Sequence, residues 1–202
     1  AHGHCGIIPA GTKHIKRNET LSALLAMAAV HAAAGADYVA PSAMAAGQVK
    51  AIRRTLDRAG FPDVGIMGYS AKFASNFYGP FRAIAGSAPA FGDRSGYQLD
   101  YRSSQAAWKK IKEDILGGAD IVMVKPAVGY LDVVRMAKES FDKPLAVYNV
   151  SGEFAFVKKG ARAGMWDEKE MVREIFEGFQ RAGADYIITY HAKDIARWQA
   201  QL

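Results

Sequence analysis

Cysteine is almost missing from this 202-residue chain. With Cys5 alone, no intrachain disulfide can form, and a reducing, cytoplasmic setting is expected. No apolar run approaches the ~20 residues of a membrane span, so no membrane partner is expected, and the first residues lack the plan of a secretory signal. Phosphate-cradling motifs are missing too: neither GxGxxG nor a Walker sequence occurs. There is no CxxC pair, so His2, His4 and Cys5 offer metal-ligand chemistry without the full ligand set of a closed zinc site. Long runs of one charge sign are also lacking. The net charge is +6, yet the basic residues are scattered. The densest groups, Lys50-Arg53-Arg54 and Lys109-Lys110-Lys112, fall at helical spacing beside apolar residues. They read as solvated helix faces, which argues against nucleic acid, while the excess positive charge suits a small carboxylate substrate.

What is present describes an ordinary folded protein. Half the residues are hydrophobic and 23% are charged, enough for one sizeable core and a single domain over residues 1–202. Residues 1–19 read as loop, with Asn18 as a candidate N-cap for a helix from Glu19 to about Ala34. A short strand, Tyr38 to Ser42, and a helix from about Gly47 to Ala59 follow. Val64 to Tyr69 reads as a strand, ending in Ser70-Ala71-Lys72. Residues 73–103 have little periodicity and carry arginines among aromatics, which suggests an active-site lid that also grips an anion. Helices over about 104–116, 130–141, 154–163 and 167–182, and strands over 121–124, 145–150 and 186–190, complete the chain before a short last helix. Gly-Ala-Asp occurs at 35–37, 118–120 and 183–185, each time between a helix and an apolar strand. In each, the glycine is expected to cap the helix and the aspartate to hold the turn. Strands alternating with helices imply an α/β fold with a parallel sheet. Five strands in this length imply part of a TIM-type barrel, which in full takes about 250 residues.

The strand tips carry the chemistry. Ser42, Lys72, Lys125, Ser151 and Tyr190 all follow apolar strand segments, and a closing sheet would gather them at one mouth. A strand-end lysine is expensive to bury unless it is used. Burial and a nearby second cation both lower a lysine's pKa, and the free amine can then attack a ketone to form a Schiff base. The plainer alternative is a lysine that snorkels to the rim or pairs with an acid. Arg82, Arg94 and Gln98 could bind a carboxylate. Ser42, Tyr148, Ser151 and Tyr190 are hydrogen-bond candidates, and Glu153 and Asp120 read as structural carboxylates.

These residues resemble one family, porphobilinogen synthase, also called 5-aminolevulinate dehydratase. The resemblance is carried by His-Gly-His-Cys-Gly (2–6), Val-Ala-Pro-Ser (39–42), Tyr-Ser-Ala-Lys-Phe-Ala-Ser (69–75), Phe-Tyr-Gly-Pro-Phe-Arg (77–82), Phe-Gly-Asp-Arg (91–94), Met-Val-Lys-Pro-Ala (123–127), Val-Ser-Gly-Glu (150–153) and Ile-Thr-Tyr (188–190). It implies a TIM-type barrel that condenses two molecules of 5-aminolevulinate into porphobilinogen. It assigns Lys72 and Lys125 as Schiff-base lysines for the A-side and P-side substrates. It assigns Arg82, Arg94 and Gln98 to the A-side carboxylate, and Ser151 and Tyr190 to the P-side carboxylate. It matches Cys5 to the last cysteine of the three-cysteine zinc site in zinc-dependent members, and it implies a homo-octamer. In that family the other two cysteines, the assembly arm and the first barrel strands precede the His-Gly-His-Cys segment, so Cys5 by itself is not expected to hold zinc. Three departures stand out: Ser-Ala-Met-Ala-Ala-Gly (42–47) lacks two usual carboxylates, Lys110 stands where a magnesium-binding glutamate occurs, and His191 replaces an aromatic residue. Magnesium is therefore not expected. Two other readings remain open: an aldolase-like barrel using one lysine, and a non-catalytic remnant.

Overall fold

The computed structural model describes residues 6, 7, 9, 16–84 and 97–200. Its α-helices and strands, in chain order, are α1 (Arg17–Ala33), β1 (Tyr38–Val39), α2 (Gln48–Arg58), β2 (Gly65–Lys72), α3 (Gly79–Ile84), α4 (Ser104–Leu116), β3 (Ile121–Lys125), α5 (Leu131–Ser140), β4 (Leu145–Asn149), α6 (Ser151–Arg162), α7 (Glu168–Ala182), β5 (Tyr186–Thr189) and α8 (Ala192–Gln199). The strands form one sheet in the order β1-β2-β3-β4-β5. β1 runs parallel to β2 with Tyr38 opposite Gly65, and β4 runs parallel to β5 with Ala146 opposite Tyr186. This is the expected α/β class. Spatial order follows chain order, as in a TIM-type sheet and unlike a doubly wound one, whose order reverses at a switch point.

The chain divides into two compact units, Ala1–Ala74 with Pro89–Met123, and Ser75–Ala88 with Val124–Leu202. The boundary falls inside β3. In the first unit, Val49, Ile52 and Leu56 share one face of α2 and are fully buried, as are Ile66, Phe73 and Ile111. Burying each such side chain contributes about 1.5–3 kcal/mol. Arg53 pins α2 to the loop before β2: its guanidinium donates to Val64 O (2.6 Å) and Phe61 O (2.9 Å). In the second unit Val133, Val134, Leu145, Val147, Val157 and Phe179 form the core.

The Gly-Ala-Asp turns behave alike in one respect. Gly35, Gly118 and Gly183 have φ of 92°, 98° and 107°, the left-handed backbone that glycine adopts at a helix end without strain. Two of the three aspartates, Asp120 and Asp185, reach beyond their own turns. Asp120 donates its amide to Ile66 O (2.9 Å) and accepts the Ile66 amide on Oδ2 (2.8 Å). Asp185 does the same to Leu145, at 2.8 Å in both directions. Each aspartate thus grips both backbone groups of one residue at the start of another strand.

Three expected boundaries change. Asn18 lies inside α1; Lys16 is the N-cap and makes no side-chain capping bond. β1 ends at Val39, so Ser42 lies beyond the strand. Ser151 is not a strand tip but the first residue of α6, because the Val150 amide donates to Glu153 Oε2 (2.7 Å) and starts the helix there.

Candidate active site

In the second unit the site is built around Lys125. Val124, the residue before it, is fully buried, and Lys125 emerges half-buried as the last residue of β3. Its Nζ lies 3.8 Å from the centroid of the Tyr148 ring and 5.7 Å from that of Tyr78. Two aromatic faces hold a cation through the ring quadrupole. The Tyr78 hydroxyl also donates to Lys125 O (3.1 Å), fixing ring and strand end together. The Tyr148 ring in turn meets Tyr190 (6.4 Å), and Tyr190 meets Phe154 (5.6 Å). Tyr190, which follows β5 directly, is therefore joined to Lys125 through a row of rings.

Glu153 holds the backbone around this lysine. It is 2% exposed. Oε1 accepts from the amides of Ala127 (3.1 Å) and Val128 (2.7 Å), just beyond Lys125. Oε2 accepts from the Val150 amide (2.7 Å) and from Asn149 Nδ2 (3.3 Å), and Asn149 Oδ1 accepts from the Thr189 hydroxyl (3.0 Å). Burial pushes the Glu153 pKa above its ordinary 4.5, against the opposing pull of the Val150, Val128 and Ala127 amides. One carboxylate thus ties the ends of β3 and β4 and, through Asn149, reaches β5.

The Ser75–Ile84 segment is placed by glycine and serine. A Cβ on Gly152 would lie 2.3 Å from Phe77 O and 2.7 Å from Phe77 Cα, so only glycine lets α6 approach so closely. The Phe81 amide donates to Ser151 Oγ (3.1 Å). Arg82 donates to Ser75 O (3.4 Å) and its guanidinium lies 5.5 Å from the Tyr78 ring centroid. Its Nε is buried with no hydrogen-bond partner among the described residues.

In the first unit Lys72 is the last residue of β2 and is 5% exposed. Its Nζ donates to Ser42 O (2.6 Å) and lies 5.9 Å from the Tyr69 ring centroid. Ser42 thus contributes its carbonyl to this lysine. Beside it, the Leu99 amide donates to Lys72 O (3.0 Å) and the Ala74 amide to Leu99 O (2.8 Å). This short parallel bridge seats Gln98, which is 5% exposed with neither amide atom hydrogen-bonded among the described residues. A buried amide without partners is uncommon.

The structure thus places Lys125, Arg82, Ser151 and Tyr190 in one unit and Lys72 and Gln98 in the other. Cys5, His2, His4 and Arg94 lie outside the described residues, as does 85–96 of the expected lid. The described lid residues are more regular than their sequence suggests, with a 3-10 turn over Asn76–Tyr78 leading into α3. Tyr78 and Asn149 escape the sequence reading. Tyr78 could have been found from its place between Phe77 and the Gly79-Pro80 helix start, whereas Asn149 reads as one more strand residue. Tyr148 presents its ring face to the Lys125 ammonium.

Comparison with known proteins matches these features to one family. The family model for delta-aminolevulinic acid dehydratase covers residues 1–198. The chain is 53% identical to the delta-aminolevulinic acid dehydratase of Archaeoglobus fulgidus over 96% of its own length and 60% of that protein's. It is 48% identical to the Bacillus subtilis enzyme of the same name, over 99% of the chain and 61% of that protein. A crystal structure of the Toxoplasma gondii ME49 enzyme in complex with the reaction product porphobilinogen superposes with a TM-score of 0.94 at 42% identity, covering 98% of this chain and 56% of that one. The chain therefore spans about three fifths of the length of its curated relatives. Over that span, the chain belongs to the delta-aminolevulinic acid dehydratase family.

Proposed function

We propose that this chain carries both reactive lysines of a lyase that condenses two molecules of 5-aminolevulinate into porphobilinogen, with loss of water, in tetrapyrrole biosynthesis. The observation that carries the reading is that Lys72 and Lys125 are each the last residue of a strand, at the sheet end where parallel α/β enzymes do their chemistry. Each amine takes one ketone, forming an imine and releasing a water. The imine withdraws electrons from the adjacent carbon, and proton loss there supplies the carbon nucleophile. Around Lys125, the Tyr148 and Tyr78 rings position Nζ and exclude water from the imine that forms there.

Carboxylate recognition follows the same division. Ser151 and Tyr190 take the P-side carboxylate, a reading supported by the row of rings linking Tyr190 to Lys125. Arg82, Arg94 and Gln98 take the A-side carboxylate; the unpartnered Arg82 Nε and Gln98 amide favour this. Zinc is the metal proposed for the whole protein, with Cys5 as one thiolate ligand. One cysteine does not make a zinc site, and no step here passes through the metal. Magnesium is left out, because the Lys110 ammonium already pairs with the buried Asp114. A cytoplasmic homo-octamer is the proposed working form; no described helix is long and apolar enough to cross a membrane.

The test is borohydride trapping in the presence of 5-aminolevulinate, followed by peptide mass mapping. Covalent mass at Lys125 is expected, and an unmodified Lys125 under turnover conditions overturns the assignment. Full activity in Lys72→Ala, with loss only in Lys125→Ala, would replace the reading with a single-lysine, aldolase-like reaction.

A further inference from the structure

On the second unit, apart from the residues assigned to the reaction, the starts of α7 and α8 meet the middle of α6. Glu168 opens α7, while His191 and Asp194 stand one helical turn apart at the start of α8. One ligand atom from each of Glu168, His191 and Asp194 lies within 4.8 Å of the other two. His191 is 1% exposed, and neither imidazole nitrogen has a hydrogen-bond partner among the described residues. Its Nδ1 lies 3.9 Å from Asp194 Oδ2, too far for a hydrogen bond. The ring is held by Phe154, with centroids 4.6 Å apart. Packing of that kind fixes the imidazole but leaves both its nitrogens unused.

We propose that Glu168, His191 and Asp194 form a binding site for a divalent first-row transition cation such as Zn²⁺, which the Lys158 ammonium fills when no metal is bound. Lys158 Nζ pairs with Glu168 Oε1 and with Asp194 Oδ2 (2.8 Å), so a monovalent cation already sits between the two carboxylates. Glu168, Asp194 and Lys158 together carry a charge of −1, met at the edge by Arg197, whose Nη1 lies 3.8 Å from Asp194 Oδ1, and the imidazole is left idle. A divalent ion in its place would balance both carboxylates and give the imidazole a partner. One nitrogen and two carboxylate oxygens are a donor set that suits zinc, cobalt or nickel, with a fourth position open to water. Bonds of about 2.0–2.2 Å put tetrahedral ligand atoms ~3.3 Å apart, so the three groups must close by about 1.5 Å at most. Glu168 and Asp194 are partly exposed and can make that movement, and Lys158, on a flexible four-carbon stem, can swing into solvent. None of the three ligand residues is assigned to the reaction proposed above, although His191 follows Tyr190 and packs on the same Phe154 ring.

The test uses the full chain with Cys5→Ser, which removes thiolate binding. Co²⁺ is titrated by visible absorption and Zn²⁺ by calorimetry, with melting temperature as a second readout. One equivalent of each metal is expected to bind, with ligand-field bands and no thiolate charge-transfer band, and Zn²⁺ should raise the melting temperature. His191→Phe keeps the ring packing on Phe154 and is expected to weaken binding at least tenfold. Asp194→Asn should do the same. Lys158→Met removes the competing ammonium and should tighten binding at least tenfold. Absence of saturable binding, or unchanged affinity in both His191→Phe and Asp194→Asn, overturns the site. Unchanged affinity in Lys158→Met overturns the competition.

Discussion

Replacing Glu153 by glutamine tests the network that holds Lys125. The change keeps shape and size but leaves one oxygen where there were two. That oxygen can continue to accept from Ala127 and Val128, or from Val150 and Asn149, but not from both pairs. If it keeps the first pair, the new NH₂ faces the Val150 amide, donor against donor. Asn149 can turn its side-chain amide; the Val150 backbone cannot. One buried N–H is then orphaned, at a cost of about 1–3 kcal/mol, and the surviving bonds lose their charge assistance. Burial works the other way: it disfavours the ionised carboxylate, as the raised pKa shows, and a neutral side chain recovers part of the loss. The net expectation is a destabilisation of about 2 kcal/mol. Urea unfolding near pH 7 should show a lower midpoint with an unchanged slope. The rate of borohydride trapping at Lys125 should fall as well, because the Ala127–Val128 backbone and the start of α6 share this one support. Glu153→Gln within 0.5 kcal/mol of the parent would refute the reasoning, since it would mean the four hydrogen bonds do no more than offset the burial of the charge.

Further expectations concern backbone approach and acid stability. Gly152→Ala puts a Cβ against Phe77 backbone atoms that have no side-chain freedom to move away; overpacking of that kind costs about 1–3 kcal/mol, read as a lower urea midpoint, and an unchanged midpoint would contradict the contact. Asp185 is partly buried, which would raise its pKa, but the Lys138 ammonium and the Leu145 amide outweigh this and hold it below the ordinary 3.8. A depressed carboxyl pKa gives stability that is present above the unfolded value and lost as pH falls through the folded one. The stability gap between the parent and Asp185→Asn should therefore be widest near neutrality and shrink below pH 3.8, as followed by urea unfolding at several pH values. A gap that stays constant across that range would show that the carboxylate's charge is irrelevant.

How much of this can be read in the chain depends on sequence distance. The strand-end lysines are legible because a charge that directly follows a buried apolar run has few places to go. α4 is legible to the residue, since Ser103 caps it with a hydrogen bond to the Ala106 amide. The start of α1 is not, because Asn18 has capping chemistry in the wrong place while Thr20 Oγ1 accepts from the distant Ile7 amide. Asp120 and Asp185 are misread for the same reason: their targets lie 54 and 40 positions away, and no local pattern names them. Glu153 is legible as structural but not in its reach, since a capping position gives no hint that the same side chain also holds residues 127 and 128. The pairing of Lys125 with ring faces depends on Tyr78 and Tyr148 arriving from other segments, and tyrosines in a sequence advertise hydroxyls more readily than faces.

The two-point aspartate grips have a consequence for how such a chain can change. In the second unit, Asp185 fixes Leu145 at the N-terminal edge of the sheet, while Tyr148 stands three residues further along β4 and Tyr190 follows β5 five residues beyond Asp185. At ~3.3 Å per residue, alignment is settled some 10–17 Å from the groups that would meet a substrate. A slip of β5 against β4 is opposed by Asp185 itself, at the strand start. The working end is thereby free to exchange residues without renegotiating which residue lies opposite which.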